Sequence, residues 1–217
     1  MRYEPDASYK AFIERLTPTT YEIVGVRIPT LRAIAKEIVK GDVAAFLKED
    51  VHYFEDLQLR AFVIGTCRVS PTERLSLIEQ FLPLADNWST IDSLCSSLKE
   101  VKKEPVLYWQ WLQTLRISEA PFTRRFIYVM YLTYFLTDDY IDEVLQQLEQ
   151  EESEHYYVKM AVAWALSMAY VKHKDRVLSF LQTTTMPTWT YNKALQKTRE
   201  SLRVSQHDKQ MLQHMKR

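Results

Sequence analysis

Asp92 follows Trp88 by four residues in the stretch NWSTIDSLCSSL. On a helix that begins near Trp88, this spacing puts an indole and a carboxylate on one face. A carboxylate kept ionised among cations can stabilise positive charge as it develops, or orient a water. Electron-rich indole faces on either side of it suit a cationic ligand. Trp164, in YYVKMAVAWALSMAYV, is the candidate for the second indole. Arg125, in the otherwise apolar FTRRFIYVMYLTYF, is the arginine expected to point inward, with Arg124 left to solvent. Buried there, its guanidinium needs an anionic partner, either Asp92 or a phosphate.

Each of these residues also has a structural reading. Ser89-x-x-Asp92 has the form of a capping box, in which the carboxylate serves only the start of its helix. Trp164, between Met160, Ala161 and Met168, fits a core position as well as a binding one. Trp88 fits a hydrophobic staple as well as a groove wall. Metal chemistry finds no support, because the five histidines are dispersed and no Cys/His cluster or HExxH pattern occurs. No Ser-His-Asp spacing, Walker loop or dinucleotide fingerprint is present. An enzyme built on this chain is expected to need no cofactor.

The elements that position these residues are helices. Three glycines in 217 residues, with no Asn-Gly or Asp-Gly hairpin signal, argue for an all-α chain. SYKAFIERL reads as a short first helix with Ser8 as a cap, and Pro29 and Gly41 bracket a second. From there helical segments begin near Glu55, Trp88, Pro121, Tyr156 and Trp189, at nearly even steps along the chain. Partner segments opened by Pro71, Pro105, Asp138 and Lys174 lie between them. A two-helix unit repeated evenly in this way marks a helical solenoid, read here as right-handed and as one domain over residues 1–217.

At equivalent places the inner segments carry Arg60, Asp92, Arg125, Lys159 and Lys193, which keep almost the same step as the helix starts. Four cations and one carboxylate would then line a concave groove, and such a row can track a phosphate backbone. Net charge is zero, with 28 basic and 28 acidic residues, yet the charges are segregated. Eight acidic residues and no Lys or Arg fall between Asp138 and Glu154, whereas seven Lys/Arg against two acidic residues follow Met186. Cys67 and Cys95 read as buried, reduced thiols, and no run approaches membrane-spanning length. The expectation is a soluble, cytoplasmic monomer.

GVRIPTLRAIAKEI, NWSTIDSL, FTRRFIYVM, YYVKMAVAWALS and NKALQK together resemble the bacterial DNA alkylation repair proteins of the AlkD type, over nearly the whole chain. The amino-terminal end looks about one helix shorter than that pattern. The resemblance implies HEAT-like repeats and a DNA glycosylase that removes N3- or N7-alkylated purines from double-stranded DNA. It implies Asp92 as the catalytic residue, Trp88 and Trp164 against the lesion and its sugar, and Arg125, Lys159, Lys193 and Arg60 on phosphates. The alternative is a HEAT-repeat protein that binds damaged or branched DNA without cleaving it, and a third reading is a protein-binding scaffold.

Overall fold

A computed structural model describes residues 5–217, and the chain divides into two compact units, Met1–Glu104 and Pro105–Arg217. Among the described residues every regular element is helical, and Glu22 and Tyr53 form an isolated bridge.

In the first unit, α1 (Ala7–Leu16) is capped by Asp6, whose carboxylate accepts from Tyr9 N–H at 3.0 Å. The expected cap, Ser8, instead donates its hydroxyl to Asp6 at 2.7 Å. α1 stops at Leu16 because Thr17, which precedes Pro18, is held in extended backbone. α2 (Ile28–Ile38) has Pro29 in its first turn, α3 (Val43–Lys48) is capped by Asp42, and α4 (Phe54–Thr66), α5 (Pro71–Phe81) and α6 (Trp88–Ser97) follow. α2 packs on α4 and α4 on α6, with α5 against α4.

Two close approaches set this stack. Gly25 has φ +100°, and its N–H, with those of Val24 and Val26, donates to the buried Glu55 carboxylate at the start of α4. Gly65 on α4 lies so near α6 that a Cβ there would collide with the Cβ of Ser97. Gln58, fully buried on α4, donates its amide to Ser89 Oγ at 3.0 Å and Thr90 Oγ1 at 3.3 Å. α6 is therefore fixed against α4 at both ends.

The second unit holds α7 (Pro105–Leu115), α8 (Pro121–Met130) with a π-helical continuation over Tyr131–Phe135, α9 (Ile141–Glu149) and α10 (Tyr156–Lys172). α11 (Lys174–Thr183), α12 (Thr188–Glu200) and α13 (Gln206–His214) complete it. α10 packs between α8 and α12, which is why it is apolar nearly all round rather than amphipathic. Ala161, Ala165 and Ala169, all fully buried, recur one turn apart and keep its neighbours close. The acidic run is not simply a solvated face. Glu151 is buried and accepts from Tyr128 OH at 2.7 Å, while Glu149 accepts from Thr184 Oγ1 at 2.6 Å and Thr185 N–H at 2.7 Å.

The periodic helices start at Phe54, Trp88, Pro121, Tyr156 and Thr188, each at the expected position or one place before it. The segment expected to open at Asp138 begins instead at Ile141, because residues 138–140 form a turn. α13 has no counterpart in the sequence reading.

Candidate functional site

Within the first unit, the start of α6 is built by a relay of side chains. Asp86 accepts from Thr19 Oγ1 at 2.8 Å, Thr20 N–H at 2.6 Å and Thr20 Oγ1 at 2.8 Å, and Asn87 donates to it at 3.0 Å. Burial alone would raise the Asp86 carboxyl, but these hydrogen bonds outweigh it and hold the group below its usual range. Asn87, fully buried, then caps α6 by accepting from Thr90 N–H at 2.9 Å. Ser89 therefore does not cap the helix, and Asp92, in its second turn, is not the acidic member of a capping box. The capping alternative for this carboxylate is set aside.

Ile91, Leu94 and Cys95 turn α6 into the core, which leaves Trp88 and Asp92 half-buried on the other face. The Trp88 indole N–H donates to Leu16 O at 3.1 Å, so the end of α1 fixes the ring. Arg60 belongs elsewhere. It is buried, and its guanidinium donates to Leu47 O at 3.0 Å and to Glu49 O. It ties the end of α3 to α4, with its guanidinium turned to these carbonyls. Its even spacing from Asp92 gave no hint of this, because periodicity reports helix register and not which carbonyls lie within reach.

In the second unit the two adjacent arginines separate as their helix dictates. Arg124 pairs with Glu151 at 3.3 Å, whereas Arg125, 5 % exposed, donates to Tyr157 O at 3.0 Å in the first turn of α10. Lys159 pairs with Glu154 at 2.8 Å and stands 5.0 Å from the Trp189 ring centroid. Lys193 donates to Gln196 Oε1 at 2.9 Å and lies 5.6 Å from the same ring. Trp164, half-buried, lines a cleft of about 270 Å³ with Ser167, Met168, Val171, Lys197, Glu200 and Ser201.

Lys197 in that cleft was not singled out by sequence reasoning. Burial pulls its ammonium below the ordinary lysine range; Glu200 opposes the shift, and the positive charges of Lys193 and Arg125 add to it. The available signal was its place one helical turn after Lys193 in NKALQK. Arg125, Lys193 and Lys197 thus form one positive region beside Trp164. Gathered cations of this kind carry a standing repulsion that a bound anion relieves.

Among the described residues no group of three or more His, Cys, Asp or Glu is placed to hold a metal ion, and no helix is long and apolar enough to cross a membrane. In comparison with known families, residues 2–198 match the family described as DNA alkylation repair enzyme. No curated protein matches the chain.

Proposed function

The chain belongs to the DNA alkylation repair enzyme family, and from that membership we propose that it is a monofunctional DNA glycosylase hydrolysing the N-glycosidic bond of N3- and N7-alkylated purines in double-stranded DNA. The observation that carries the reading is the division of labour at the start of α6. Asn87 caps the helix, so Asp92 is placed by the fold one turn beyond Trp88 without serving the helix end.

The chemistry suits a carboxylate such as that of Asp92. An alkylated purine already bears positive charge, so the bond from C1′ to the base breaks with both electrons going to the base, which leaves neutral. No general acid is required. Positive charge moves to the deoxyribose as an oxocarbenium ion, and a negative carboxylate close to it lowers the barrier. Asp92 takes that part and orients the water whose oxygen bonds to C1′; the proton from this water passes to Asp92 or to solvent. Trp88, on the face of α6 that carries Asp92, lies against the sugar of the cationic lesion. Lys159, Lys193 and the newly identified Lys197 hold phosphates, and the buried Arg125 adds positive charge behind them. In this reading the chain is built of HEAT-like repeats and works as a cytoplasmic monomer without cofactor.

Alkylated duplex DNA incubated with the protein, followed by chromatography of the released bases, tests the proposal. The wild type is expected to release N3- or N7-methylpurines, and Asp92→Asn to release none while keeping its DNA affinity. If the wild type releases nothing, the glycosylase reading fails. Binding of the same duplex would then leave the non-catalytic one.

A further inference from the structure

One surface of the second unit is more elaborate than phosphate contacts on a duplex require. Trp189, in the first turn of α12, is 39 % exposed, and Tyr156, in the first turn of α10, is 52 % exposed. Their rings meet edge to face with centroids 6.0 Å apart. Large aromatic side chains are seldom left in water together, so a touching exposed pair marks a surface built for contact. Two cations stand over the indole, the ammonium groups of Lys159 and Lys193 lying 5.0 and 5.6 Å from its centroid. Beside the indole opens a cleft of about 670 Å³, lined further by Asn192, Gln196, Lys216 and Arg217.

Aromatic faces and ammonium groups answer two parts of a nucleotide. An aromatic ring stacks on a base, and an ammonium takes the phosphate attached to it. An intact duplex offers no free base face at its flank, so an indole gains nothing there. A base outside the double helix does. We infer that Trp189, with Tyr156, Lys159 and Lys193, forms a subsite for an unpaired nucleotide, such as one on a single-stranded DNA segment adjoining the duplex. The family match ends at residue 198, so Lys216 and Arg217 lie beyond it. Arg217 is nevertheless held in place by stacking on Tyr191 at 4.0 Å and by donating to Thr184 O at 2.6 Å. The inference rests on the proposed DNA-binding reading and adds a strand type to it.

Fluorescence anisotropy with three labelled DNAs tests the inference: a blunt duplex, the same duplex with an oligothymidylate overhang, and the overhang sequence alone. The wild type is expected to bind the overhang duplex roughly tenfold more tightly than the blunt one, the scale of one base stacked on an aromatic ring. Trp189→Ala should lose that increment while keeping its blunt-duplex affinity, its thermal melt and its release of methylated bases. Trp189→Phe should retain most of it. Equal affinity of the wild type for blunt and overhang duplexes overturns the inference and leaves duplex binding intact. A matching loss on both DNAs in Trp189→Ala also overturns it, since the indole would then only support the lysines. So does a poly-aspartate peptide that competes as well as oligothymidylate, because the surface would then read charge alone. Failure of the wild type to bind any of the three DNAs sinks the DNA-binding reading itself.

Discussion

Asp86 and Asp92 share α6 and the turn before it, yet their surroundings give them different work. Asp86 is surrounded by donors: Thr20 N–H, the Thr19 and Thr20 hydroxyls and the Asn87 amide. Its carboxyl is held below the usual range, so it binds its proton less readily folded than unfolded. The stability it contributes is therefore present above the unfolded value of about 3.9 and is lost as pH falls through the lower folded one. Asp86→Asn should reduce stability at neutral pH by about 1–3 kcal/mol, as expected for hydrogen bonds to a charged group. It should also flatten the fall in stability below about pH 4. Urea denaturation at pH 7 and at pH 3 would measure both. The same variant frees residues 19–20 from the start of α6, so glycosylase activity is expected to fall further than stability at neutral pH. Asp92→Asn carries the opposite signature, with base release lost and the urea midpoint little changed.

At the level of elements, the glycines on either side of the first helical stack are more informative than its leucines. Gly65 lets α4 approach α6, and an alanine there would drive its Cβ into that of Ser97. A clash between side chain and packed helix moves the backbone, and overpacking of this kind costs about 1–3 kcal/mol. Gly65→Ala should lower the melting temperature and, by shifting α6, reduce activity while leaving binding through the second unit largely intact. Calorimetry together with the base-release assay would check this. Glycine scarcity and the even recurrence of helix starts made the helices legible, because both follow from local chain physics. The caps were less legible. Ser8 and Ser89 both occupy plausible capping positions, yet Asp6 and Asn87 do the capping, since the outcome depends on which side chain reaches an N–H after the preceding turn has formed. Arg60 shows the same limit at longer range, because its partners Leu47 and Glu49 lie at the end of α3, whose position the period does not specify. Trp88 and Asp92 were legible as a pair because a spacing of one turn within one helix survives any tertiary arrangement.

Across the whole molecule, a formal charge of zero conceals a marked separation of sign. The acidic run of the second unit is partly consumed in its own architecture, through Glu149, Glu151 and the Asp138 and Asp142 contacts of Arg176. The cations of α10 and α12 are gathered around Trp189 and Trp164. DNA affinity should therefore depend steeply on salt despite the neutral sum, since each neutralised duplex phosphate contributes about 0.9 to the log–log slope. Lys159→Ala combined with Lys193→Ala is expected to reduce that slope by about 2 and to weaken blunt-duplex binding regardless of sequence. Titrations between about 50 and 200 mM salt would measure the change.

Glu154 gives this cationic surface a resident competitor. Its side chain, almost entirely in water, sits 2.8 Å from the Lys159 ammonium. An incoming phosphate must displace it before gaining that lysine. Weak or fleeting encounters with polyanions are thereby discounted at the doorway, and only a strand gripped at several points at once recovers what the eviction costs.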